Sequence, residues 1–144
     1  TTFPVVEKLV AMTQNEYEAR RLTGKLEELP KRFVESNNDL EVTIEISDNP
    51  LITREIPSYL LIRIRNVGSG FVNDINKGDI EIKTTPEIPI SCDIDEKLYV
   101  ERSATIPCKI ELKNLKESYL NIYVIINIKY TYELKKSAKI EITR

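Results

Sequence analysis

The 144-residue chain has no histidine and no tryptophan, a single methionine, four glycines and two cysteines. Without histidine, the commonest general base and the commonest metal ligand are both missing. An enzyme made from this chain would have to rely on carboxylates, lysines or cysteines, so no catalytic, cofactor-binding or metal-ligating residues are assigned. No apolar run approaches the length of about 18 residues that a membrane-spanning helix needs, and direct membrane insertion is not expected. Neither sign of charge is in surplus: 21 Lys and Arg stand against 23 Asp and Glu, intermixed along the chain. There is thus no basic face to attract nucleic acid, which is not expected as a partner. No Asn-x-Ser/Thr acceptor occurs despite many asparagines, and 31% of residues are charged. Both features lean towards the cytoplasm over a glycosylated surface. No secretory signal is visible and the chain lacks an initiator Met, so the expectation is a processed product or a piece of a longer protein.

What is present is strand. Tyr119 to Tyr132 is the longest and most apolar strand-like run, with Leu120, Ile122, Val124, Ile126, Ile128, Tyr130 and Tyr132 on one face. β-branched and aromatic residues dominate it and Gly and Pro are absent, which predicts a central strand. Its other face is half apolar at Tyr123 and Ile125, so a cover over part of that face is expected. From Leu40 onward a period of two recurs, at Leu40–Ile46, Leu60–Ile64, Ile80–Ile82, Ile88–Ile94, Ala104–Leu112 and Ala138–Ile142, with a short candidate at Phe71–Ile75. Turn residues separate these runs. The Pro86 and Pro89 interruptions place an edge strand nearby. Seven or eight strands with no helix between them argue a two-sheet antiparallel sandwich. A chain of this length fits one domain and can bury roughly two-thirds of its unfolded surface. Abundant Lys, Glu and Ile with little Gly also match the composition of hyperthermophile proteins.

Residues 1–36 read differently. Pro4 suits a first helical position, and Val5, Val6, Leu9, Val10 and Met12 follow a helical period. Thr13-Gln14-Asn15-Glu16 has the form of a capping box. Tyr17, Leu22, Leu26, Leu29 and Phe33 make a narrow apolar stripe, with Gly24 weakening it and Pro30 kinking or restarting the helix. The expectation is an N-terminal helical extension over residues 1–36, followed by a β-sandwich over residues 37–144. The stripe would serve either as packing on its own domain or as a contact with a protein partner or a second copy.

At Ile62-Arg63-Ile64-Arg65-Asn66-Val67-Gly68-Ser69-Gly70-Phe71-Val72-Asn73-Asp74-Ile75 the chain resembles the Ig-like modules of the CARDB and archaeal surface-layer-repeat kind. In these, a strand ends in Asn-x-Gly and the next begins a few residues later. The polar loop before Ala104-Thr105-Ile106 and the tyrosine-rich penultimate strand, followed by a hairpin to the end, also fit. The resemblance covers about residues 37–144. It implies a seven-stranded Ig-like sandwich without catalysis, used as a docking module or as a spacer in a larger surface or membrane-associated archaeal protein. Read physically, Asn66 caps a turn by its side chain and Gly68 supplies a positive φ.

Other constellations have structural readings beside functional ones. Cys92 and Cys108 share the inward parity of strands that can be neighbours; they form a disulfide, remain two buried thiols, or act as a reactive or metal-binding pair, although without His or further Cys a zinc site lacks ligands. Gly68-Ser69-Gly70 lacks the third Gly, the Lys and the following helix of a phosphate loop. Asp93, Asp95 and Glu96 offer oxygens to calcium but lack EF-hand spacing, and a solvated loop is the better reading. Arg63, Arg65 and Lys129 with Tyr123 would make a basic outward patch, with Glu41, Glu45 and Glu81 as cross-strand ion partners.

Overall fold

The computed structural model describes residues 1–134. The chain passes through β1 (Thr2–Met12), α1 (Gln14–Leu22), β2 (Arg32–Ser36), β3 (Leu40–Ile46), β4 (Leu51–Ile52), β5 (Ser58–Asn66), β6 (Phe71–Val72), β7 (Ile75–Asn76), β8 (Ile80–Thr85), β9 (Ile90–Cys92), β10 (Lys97–Leu98), β11 (Ala104–Ile110), β12 (Tyr119–Lys129) and β13 (Tyr132–Glu133). It is mainly β with one short helix. A four-stranded sheet has the order β4-β1-β12-β8, and a five-stranded sheet has the order β2-β3-β5-β11-β9. Two short ladders, β10-β7 and β13-β6, accompany them.

The alternating strands bury their apolar parity. Val42, Ile44, Ile62, Ile64 and Ile106 of the five-stranded sheet share one core with Val5, Leu9, Ile122, Val124 and Ile126 of the four-stranded sheet. β12 is the central strand of its sheet and pairs antiparallel on both sides, with β1 and with β8. β8, which ends at Pro86, and β9, which follows Pro89, are both edge strands.

The N-terminal region departs from the helical expectation. Helix is confined to Gln14–Leu22, while Thr2–Met12 forms a strand that pairs with β12 from Thr2 opposite Lys129 to Met12 opposite Tyr119. Two facts favour strand over helix. Phe3, Val5, Val6 and Val10 are good strand formers. A long apolar strand with a vacant side also offers this segment a ladder along its whole length. Residues 1–36 are therefore not an extension separate from the sheets: β1 completes one sheet and β2 edges the other. Thr13 does cap α1, accepting from the Glu16 backbone N–H at 3.2 Å. The capping box is not reciprocal, because the Thr13 N–H goes to Ser118 O and the Glu16 carboxylate to Arg20. The last strand, expected at Ala138, Ile140 and Ile142, lies outside the described residues; the place beside β12 opposite β8 is held by β1.

Candidate functional site

The direction of each backbone group of β1 follows from its ladder. Thr1 and Tyr130 exchange N–H···O bonds at 3.2 and 2.9 Å, and Thr13 N–H donates to Ser118 O at 3.0 Å. With an unbroken register between them, odd-numbered residues face β12 and even-numbered ones face away. On the far side, Met12 O accepts from Thr53 N–H, and β4 pairs only at Ala11 and Met12. Val10 N–H donates to the buried Asn49 Oδ1 at 3.3 Å, and Asn49 Nδ2 donates to Pro30 O at 2.7 Å. From Thr2 to Lys8, no described strand pairs on that side. Pro4 falls at an outward position, where a missing N–H costs no ladder bond.

The outer side-chain face next to this open edge is partly apolar. Val6 lies beside Ile125 and then Lys83, and Lys8 lies beside Tyr123 and then Thr85. Val6 is 52% exposed and Tyr123 41% exposed. Towards the other end of the same face, Val10 and Met12 are buried, and they line a cleft with Leu26, Leu29 and Tyr119. The Arg20 guanidinium stacks on Tyr119, 4.3 Å from the ring centre. The cover expected over Tyr123 and Ile125 is thus displaced: α1 and the segment after it lie over the Tyr119 end and leave Tyr123 open.

The five residues of the expected stripe do not share one helical face. Tyr17, Leu26 and Leu29 line a cleft with Asn49, Pro50 and Ile52. Leu22 is 74% exposed. Phe33 belongs to β2 and packs against the core. The stripe fails because the helix ends at Leu22, so the spacing of three and four has no meaning beyond it.

The proposed basic patch is also divided. Arg63 and Arg65 lie on the outer face of the five-stranded sheet, whereas Lys129 and Tyr123 belong to the other sheet. Arg65 pairs with Glu41 at 3.1 Å and Arg63 approaches Glu45 at 3.9 Å, both across strands, while Glu81 meets Lys83 of its own strand. Asp93, Asp95 and Glu96 are not gathered as ligands; among the described residues no group of three or more such side chains is arranged to hold a metal ion. Cys92 and Cys108 lie opposite each other in the β9–β11 ladder, and their sulfurs are bonded at 2.09 Å.

The Asn66-Val67-Gly68 turn is built from its side chain, as the sequence suggests. Asn66 Oδ1 accepts from Gly68 N–H at 3.0 Å, and its Nδ2 donates to Gly70 O at 2.9 Å and to Glu101. The reason for Gly68 differs from the expected one. Its φ is not positive; instead a Cβ there would strike the Tyr132 hydroxyl and Asn38 O. The Tyr132 hydroxyl accepts from Gly70 N–H, and Tyr130 donates to Asp39 at 2.7 Å. Burial and the Asp39 bond push the Tyr130 phenol above its ordinary value. Together the two tyrosines tie the end of β12 to the β2–β3 turn and the 66–70 turn.

No protein-family model, curated protein or solved structure matches this chain.

Proposed function

We propose that the chain is a non-catalytic interaction or assembly module of the Ig-like sandwich kind. The strand order supports the Ig-like reading. β3-β5-β11-β9 follows the A-B-E-D order, β8-β12 follows C-F, and β1 stands where the seventh strand would pair with β12. The observation that carries the functional reading is the outward edge of β1 from Thr2 to Lys8, on which no described strand pairs, bordered by exposed Val6 and Tyr123. An edge of unpaired backbone groups accepts another strand, and neighbouring apolar side chains add affinity. The occupant proposed is a β1 strand from a second copy, antiparallel about Val6. This would set Lys8 N–H against the Pro4 carbonyl and join the two Val6–Ile125 patches.

Light scattering of the chain and of Val6→Pro tests this. The Val6 N–H faces away from β12, so proline there removes an edge donor without breaking the β1–β12 ladder, as Pro4 already does. The expected result is a dimer for the parent and a folded monomer for the variant. A parent that stays monomeric up to high micromolar concentration, or a Val6→Pro dimer as tight as the parent's, contradicts the reading.

A further inference from the structure

β9 is a three-residue strand, and among the described residues it pairs only with β11. Asp93 N–H donates to Pro107 O at 2.9 Å, and Glu111 N–H donates to Pro89 O at 3.1 Å. These are therefore hydrogen-bonded pairs of the ladder, with Lys109–Ser91 as the pair between them. Pro107 and Pro89 have no N–H, so each outer pair keeps a single bond where an antiparallel ladder normally makes two. Cys92 and Cys108 stand opposite each other at a position that ladder bonds do not occupy, and their disulfide bridges it. Cys108 is buried, whereas Cys92 is only half-buried. Ile90, on the same face of β9 as Cys92, lines a surface cleft of about 550 Å³ with Ile82 and Lys83 of β8. We infer that the Cys92–Cys108 disulfide is a redox latch: a dithiol reductant opens it in the folded chain, and β9 then leaves the edge of β11.

The exchange balances between the cysteine pair and the dithiol. A thiolate of the dithiol attacks Sγ of Cys92, the less buried residue, and forms a mixed disulfide. The electron pair of the broken bond goes to Cys108 Sγ, which takes up a proton. The second thiol of the reductant loses its proton and attacks its own sulfur in the mixed disulfide, and Cys92 is released and protonated. Two electrons and two protons have then passed to the chain, and the reductant leaves as a disulfide. The neighbouring elements have anchors of their own. Ile88 N–H donates to Thr84 Oγ1 at 3.0 Å, which holds the crossover before Pro89 to β8. β11 keeps its ladder with β5, from Ala104 opposite Ile64 to Ile110 opposite Ser58. Release of β9 thus uncovers the backbone groups of Pro107, Lys109 and Glu111 on one side of β11, with Cys108 and Ile110 behind them.

Dithiothreitol treatment of the full chain without denaturant tests the latch, with free thiols counted by maleimide labelling and amide hydrogen exchange read residue by residue. The expected result is two labelled cysteines in a chain that stays folded. Ser91, Asp93, Lys109 and Glu111 should exchange about tenfold faster or more after reduction. Leu60 and Ile62, whose amides face β11 from β5, should stay slow. The double variant Cys92→Ser with Cys108→Ser should show the exchange pattern of the reduced parent with no reductant present. The parent measurements stand alone even if that variant fails to fold. A bond that is reduced only as fast as the whole chain unfolds, unchanged exchange at Lys109 and Glu111 after reduction, or exchange accelerated equally at Leu60 and Ile62, overturns the inference.

Discussion

The Asp48 carboxylate accepts hydrogen bonds from Ser47 and Ser58 at 2.8 Å and from Arg54 at 2.6 Å. Burial alone would raise its proton affinity. The bonds from Ser58 and Ser47, with the charges of Arg54 and Lys31, outweigh that and hold it below its ordinary 3.8. Its contribution to stability is therefore present above that range and is lost as pH falls through it. Asp48→Asn should cost about 1–3 kcal/mol near neutral pH, read by denaturant midpoint, and should flatten the acid limb of the stability profile. Gly68 carries a different kind of constraint. With the Tyr132 hydroxyl and Asn38 O packed where a Cβ would stand, Gly68→Ala should destabilise by about 1–3 kcal/mol, measured the same way. The Asn66 bonds around that turn were legible from Asn-x-Gly. The role of Gly68 was not, because its crowding comes from Tyr132, distant in sequence.

At the scale of the element, β1 is where the sequence misleads. Val5 and Leu9 satisfy a spacing of two as well as a spacing of four, and Glu7 interrupts the alternation that would have marked a strand. Pro4 fits a helix start and an edge strand equally. The deciding fact is the vacant side of β12, a long-range feature that no local window contains. Tyr17, Leu26 and Leu29 line clefts beside the sheet and form no helix stripe. Removing residues 1–12 would uncover one side of β12 and part of the core. Such a truncation should fail to give a cooperative unfolding transition by circular dichroism. A stable, cooperatively folded truncation would mean that β1 is dispensable.

For the whole molecule, the sheets were legible and their closure was not. Strict alternation at Val42-Ile44-Ile46, Leu60-Ile62-Ile64 and Ile106-Cys108-Ile110 marks half-buried strands, and these form adjacent members of the five-stranded sheet. What alternation leaves open is which strands are neighbours; hence the pairing of β1 with β12 needed the structure, whereas Glu41 and Glu45 were already expected as cross-strand partners of Arg65 and Arg63. The Cys92–Cys108 bond joins positions 16 apart in sequence. Replacing both with Ser should cost about 3 kcal/mol by the loop-entropy estimate, seen as a lower denaturant midpoint.

The central claim is that β1 is bonded to β12 on one side, has no described strand on the other from Thr2 to Lys8, and associates through that second side. Amide hydrogen exchange along β1, in dilute and concentrated solution, tests it most directly. The account predicts slow exchange for Val5, Glu7 and Leu9 at both concentrations. Val6 and Lys8 should exchange quickly when dilute and slowly when concentrated. Fast exchange at Val5 and Glu7, or no change at Val6 and Lys8 while the chain associates, would contradict it.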